Sequence, residues 1–225
     1  MRVFGYCAAV GTTRKDLWPG TGDIPLATTA IGLSVISTDA LDASALTGAR
    51  TIRVDYLDSN YAEGTVNVTM NGVVEVSAGV ATCMRAQRMT VLTTGSGNKN
   101  AGVISTLVPS GGADQALMPI GFNRGINGVW TCPAGKRGVI TCLAFDYAAN
   151  QDGEGFLLGD FDPDTYAKNA GVFAPLFHAN FRFGQYSVDL ANDPIIVPEK
   201  CAVKLAGVAG AAGQKMGGWF AVTIE

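Results

Sequence analysis

Histidine is almost missing from this chain: His178 is the only one among 225 residues. A catalytic triad needs a base, a nucleophile and an orienting group close together. No G-x-S-x-G occurs, and no cysteine sits in a recognisable catalytic setting. Charge is sparse as well. Asp, Glu, Lys and Arg make up 16% of the residues, against about a quarter in ordinary globular domains. The nearest approach to a basic cluster is Arg85 and Arg88 in CMRAQR. Proteins that grip nucleic-acid backbones carry basic stripes, so nucleic acid is not expected as a partner. No apolar run reaches the ~18 residues that a membrane-spanning helix requires. Met1-Arg2-Val3-Phe4 begins like a signal sequence, but Arg14, Lys15 and Asp16 interrupt it before any long apolar core, so no cleavable signal is expected.

The five cysteines, Cys7, Cys83, Cys132, Cys142 and Cys201, are odd in number and include no C-x-x-C pair. That excludes the closely spaced ligand pairs of a zinc knot. They read as free buried thiols of a protein folded in a reducing cytosol. Cys132 and Cys142 flank the turn Pro133-Ala134-Gly135-Lys136, but a simple hairpin there sets Cys132 beside Arg137, so no disulfide is expected between them. Helical periodicity is nearly absent; Tyr166 to Ala170 is the one candidate helical turn.

What the chain has is strand material. Hydrophobic residues reach 48% and glycine 29 residues, a composition of short strands and tight turns. From Leu46 onward strand signals recur every ~8–15 residues, the spacing of a sandwich or barrel. The clearest run is Thr47 to Gly72. Arg50, Ile52, Val54 and Tyr56 alternate with Thr51, Arg53, Asp55 and Leu57. Asp58-Ser59-Asn60 turns the chain, and Val66 and Val68 alternate with Asn67 and Thr69. That is a hairpin with one buried face. Further strands are expected at 31–38, 73–77, 80–93, 101–107, 116–122, 126–131, 137–147 and 219–224. Two turns that pair Pro with Lys, Pro133-Ala134-Gly135-Lys136 and Pro198-Glu199-Lys200, each join strands. Residues 1–45, with Trp18-Pro19-Gly20 and Pro25, read as an extended N-terminal arm ending in a first strand. Such an arm either lies across a neighbouring subunit or wraps its own barrel. Residues 46–225 read as a single β-sandwich domain.

Two segments carry a family resemblance. GARTIRVDYLDSNY with TVNVTMNG, and WTCPAGKRGVIT, resemble elements common in virion structural proteins of tailed bacteriophages. There a "GART" strand leads to "LD-x-NY" and "TV-x-(apolar)-NG", and "PAGK" opens a strand of a jelly-roll sheet. The resemblance covers most of residues 16–145 and is loose thereafter. It implies an all-β, antiparallel jelly-roll-like sandwich and a non-enzymatic virion protein. The expected role is that of a capsid decoration (cement) protein on the outer capsid surface, synthesised in the bacterial host cytoplasm. Its implied partners are the major capsid protein and itself, as a homotrimer. The alternative is a head or tail fibre or a receptor-binding protein recognising host surface glycans.

Site candidates are few. Asp160, Asp162 and Asp164 have the D-x-D-x-D spacing that opens a calcium loop, but Thr165 and Gly171 stand where an EF-hand needs Gly and Glu. They are weak metal candidates beside the plainer reading of a solvated acidic turn. His178 would share a strand face with Leu176 and Asn180, opposite Phe177 and Phe181. Phe173, Phe177, Phe181, Phe183 and Tyr186 stand at strand spacing and read as core. An enzyme such as a depolymerase would need paired carboxylates across a cleft, for which Asp146, Asp152, Glu154 and Asp160 are the candidates. No catalytic residue, cofactor or membrane partner is assigned.

Overall fold

The computed structural model of the chain describes residues 1–107, 114–161 and 173–225, with the side chains at 107, 149–151 and 183 outside that description. Among the described residues there is no helix, and the fourteen strands pair antiparallel throughout. The all-β antiparallel class expected from composition and alternation is therefore the class observed. No helix is long and apolar enough to cross a membrane.

The division of the chain differs from the expected boundary at residue 45. It forms two compact units, Met1–Ile24 with Asn127–Glu225, and Pro25–Ile126. The expected arm is partly sheet. Strand β1 (Arg2–Val10) pairs with the last strand, β14 (Gln214–Ile224), from Arg2↔Ala221 to Val10↔Gln214. The two-residue β2 (Lys15–Asp16) pairs with β13 (Ala202–Ala209). The arm's β1 and β2 thus pair within the first unit. Gly5 explains how closely: a Cβ there would lie 2.5 Å from the Leu17 carbonyl oxygen and 2.8 Å from Gly128 Cα.

The first unit is organised by β10 (Gly138–Asp160) and β11 (Ala174–Asp189), which form one long pair. The register shifts between Tyr147 and Asp152, and the two halves of β10 then choose different neighbours. Its first half pairs with β14, and its second half with β13. Strand β9 (Val129–Thr131) adds to β13, and β12 (Ile195–Val197) adds to the start of β10. A bridge from Gly5 to Asn127 and the Gly128 N–H bond to the Phe4 carbonyl bring β1 back towards β9. The curled sheet surrounds a core that includes Leu17, Trp130, Phe145, Tyr147, Leu157, Leu205 and Phe220.

The two Pro/Lys turns noted in the sequence are bonded to each other in this unit. Cys132 N–H donates to the Cys201 carbonyl, Lys200 N–H to the Cys132 carbonyl, and Gly135 N–H to the Glu199 carboxylate.

The second unit has strand order β5-β4-β6-β3-β7-β8. Here β3 is Ile31–Ser37, β4 Ala49–Asp58, β5 Glu63–Thr69, β6 Val76–Thr94, β7 Ile104–Leu107 and β8 Asp114–Met118. The expected hairpin is β4–β5, in register from Thr51↔Thr69 through Val54↔Val66 to Leu57↔Glu63. Asp58 Oδ1 accepts from the Asn60 and Ala62 N–H groups and shapes its turn. The alternation holds along β4: Tyr56 packs on the core that holds Ile52 and Val54, and Leu57, one position on, is buried as well. The segment 123–125 bonds to Met89 and Val91 of β6, and Ile126 N–H to the Leu117 carbonyl. These bonds close the sheet around Leu33, Val35, Ile52, Val54, Met89, Ile104 and Met118. Neither strand order is by itself the double Greek key that defines a jelly roll.

Candidate functional site

Of the three metal candidates, only Asp160 lies among the described residues; Asp162 and Asp164 fall outside them. Asp160 ends β10 and is buried, so it does not belong to a solvated turn. No group of three or more His, Cys, Asp or Glu among the described residues could hold a metal ion. Register places Asp160 opposite Ala202, one step along the same sheet face from Lys204, which stands opposite Leu158.

Lys204 is the buried cation of this unit. Its Nζ lies 2.8 Å from Asp16 Oδ2 and 4.4 Å from the centre of the Phe173 ring. Asp16 Oδ2 also accepts the Ile24 N–H at 2.8 Å. Burial pushes the Asp16 carboxyl above its ordinary value, and the Lys204 charge and hydrogen bond pull it back down. The pair staples β2 to β13. Sequence reasoning passed over both residues, because only the pairing Asp16↔Ala206 brings together groups 188 positions apart.

His178 stands opposite Phe156 in the β10–β11 pair. Its imidazole stacks on that ring at 4.5 Å between centroids and 11° between planes. Its Nε2 is 3.1 Å from Glu154 Oε2, and both side chains are close to half exposed. Asn180 shares this face, as expected. Leu176 does not: it falls at the register shift between Leu157 and Leu158 and packs against the core. Beside His178 a cavity of ≈ 570 Å³ is lined by Asp152, Glu154, Asn180 and Arg182, with Phe181 and Val208. Asp152 and Glu154 thus reach one cavity. They are two positions apart on one strand, so they stand side by side on a single wall and do not face each other. Asp146 and Asp160 are not among the lining residues.

Of the aromatic stretch, Phe177, Phe181 and Tyr186 pack against the core, and the Phe183 side chain lies outside the described residues. Phe181 lies 6.0 Å from Phe145, 6.1 Å from Tyr147 and 6.2 Å from Tyr186, and Phe177 lies 6.2 Å from Tyr186. Four of the five cysteines are buried and Cys142 is partly exposed.

The second unit presents a different kind of surface. Leu41, Leu46, Val73, Val74, Ile120 and Phe122 are each 42–56% exposed. They stand on three loops, 38–48, 71–74 and 119–123, which two buried polar residues tie together with a fourth loop, 95–103. Asp42 is 0% exposed. Its Oδ1 accepts from Ala49 N–H at 2.7 Å and Ala101 N–H at 2.8 Å; its Oδ2 accepts from Gly102 N–H at 2.8 Å and the Ser37 hydroxyl at 2.6 Å. Its carbonyl accepts the Gly72 N–H. Asn100, equally buried, donates from Nδ2 to the Gly102 and Pro119 carbonyls and exchanges side-chain and backbone bonds with Asn123. The sequence signal for this surface was apolar residues inside turn segments, as in NGVV and IGFN.

No family model matches the chain, and no curated protein matches it.

Proposed function

We propose that the protein is a structural component of a tailed-bacteriophage virion, acting as a capsid decoration protein on the outer shell. The observation that carries this reading is the loop end of the second unit: large apolar side chains held out to solvent on loops stapled by Asp42 and Asn100. Loops locked in this way lose little entropy on binding, and an apolar surface of this kind suits contact with protein more than chemistry on a small substrate. The low charge of the chain agrees, since interface cores are depleted in charge. The GART and PAGK resemblances supply the virion context. In this reading the protein binds the major capsid protein, associates with its own copies as a trimer and clamps neighbouring capsomers. It is made in the host cytoplasm and works by cohesion.

The test uses heads assembled without the protein. Adding the purified chain should bind them and raise the temperature at which they release DNA. A second reading, a fibre or receptor-binding protein recognising host glycans, draws on the cavity beside His178, whose carboxylates, amide and guanidinium suit hydroxyl groups. Particles lacking the protein that keep full heat resistance but fail to adsorb to cells would replace the first reading with the second.

A further inference from the structure

We propose that the loop end of the 25–126 unit is the surface through which copies of this chain associate. The inference deepens the cohesion reading and rests on it only for the expectation that the copies number three.

The first argument is area. Six large apolar side chains, each about half exposed, gather on loops that hydrogen-bond to shared hubs. Together they offer several hundred Å² of apolar surface, more than scattered surface residues leave in one place. That is of the order of the ~800 Å² per partner of a standard interface.

The second argument is order. Unused loops are ordinarily mobile and polar. These are neither. The loop 38–48 is bonded to 71–74 through Gly72 and Asp42, and to 95–103 through Gly95, Gly97 and the Asp42 carboxylate. The loop 95–103 is bonded in turn to 119–123 through Asn100 and Asn123. Burying the Asp42 carboxylate is costly unless its oxygens are answered, and they are answered here by the N–H groups of Ala49, Ala101 and Gly102 and by the Ser37 hydroxyl.

The third argument is charge, and it selects the occupant. Outside the buried Asp42, the four loops hold one acid and one base, Asp39 and Lys99. A lipid surface is met by apolar residues flanked with several lysines or arginines, which these loops lack. The chain carries a formal charge of -3, so other faces brought against a copy tend to repel. A patch with both signs in balance can lie on a rotation axis and meet itself without that penalty.

Sedimentation velocity of the full chain across the micromolar range tests this. The wild type should sediment as an oligomer, with three times the monomer mass if the virion reading also holds. The double variant Ile120→Ser/Phe122→Ser and the single variant Val74→Lys should each sediment as monomers, with unchanged circular dichroism and thermal midpoint. Ile196→Ser, an exposed apolar residue of the other unit, should leave association intact. A wild type that stays monomeric at every concentration overturns the proposal, as does an oligomer indifferent to both loop variants. A monomeric wild type that binds undecorated heads, or phosphatidylglycerol vesicles, through these loops assigns the surface to a capsid or a lipid and likewise overturns it. Oligomers that form as described but bind no heads leave the self-association standing and remove the decoration role.

Discussion

A lysine ammonium sealed on the face of a sheet needs its charge answered, and among the described residues Asp16 answers Lys204 at 2.8 Å. Removing one member of a buried pair strands the other, at a cost of several kcal/mol. Lys204→Met should therefore destabilise the protein by about 3 kcal/mol at neutral pH. The sign with pH follows from Asp16. Its folded pKa already lies above the ordinary 3.8, so the native state holds this proton more tightly than the unfolded chain. Its contribution to stability is fully present below the unfolded value and is lost as pH rises through the folded value. Without Lys204, which pulls the carboxyl down, the folded value climbs further. Denaturant melts from pH 4 to 8 should show the gap between variant and wild type shrinking as pH falls; a gap constant with pH would refute this account. The thiols give a second check. Burial pushes Cys83 up to about 12, which keeps it in the unreactive thiol form. Maleimide should label Cys142, the partly exposed cysteine, before any other, and Cys83 only in denaturant. None of these partnerships was legible in the sequence, since each depends on strand pairing between distant segments.

Among the elements, strands with clean alternation were legible and bent ones were not. The β4–β5 hairpin and the end of β14 follow the period-2 pattern because one face packs on the core, whereas β3 buries Leu33, Ser34 and Val35 in succession. A strand was expected over 137–147, yet β10 runs on to Asp160. Its glycines are packing devices. A Cβ on Gly155 would lie 2.6 Å from the Phe145 ring, so the aromatic residues of the first half lie over the second half at the bend. A breaker signal and a close-packing signal look alike without the partner ring in view. The same holds for β1, whose partner β14 lies more than 200 residues away in sequence. The cavity beside His178 was half legible: its residues were noted, but their placement on one wall followed from the register of β10 with β11. The loop cluster offers the sharpest elemental test. Asp42→Ala leaves the N–H groups of Ala49, Ala101 and Gly102 without their acceptor and should cost at least ~3 kcal/mol. Hydrogen exchange should quicken at those three amides more than across β4 and β5; uniform protection would show that the loops do not depend on this hub.

For the molecule as a whole, the two-unit division makes one unit continuous in sequence and the other not. Residues 25–126 contain all six strands of their own sheet and their own core, so this segment should fold alone and unfold cooperatively in urea. A chain starting at residue 31 should lose the other unit, since β1 and β2 then have no substitute at the edges of β14 and β13. Circular dichroism and limited proteolysis of the two fragments would decide both expectations. The pairing of Arg2 with Ala221 also sets a timetable for synthesis. A ribosome adds about 5–20 residues per second, so β1 leaves the exit tunnel tens of seconds before the strand it must pair with exists. The inserted segment can fold during that wait, while the apolar face of the first strand stays uncovered. A nascent chain stalled near residue 170 should therefore carry a finished second unit and a β1 that a holdase can still grasp.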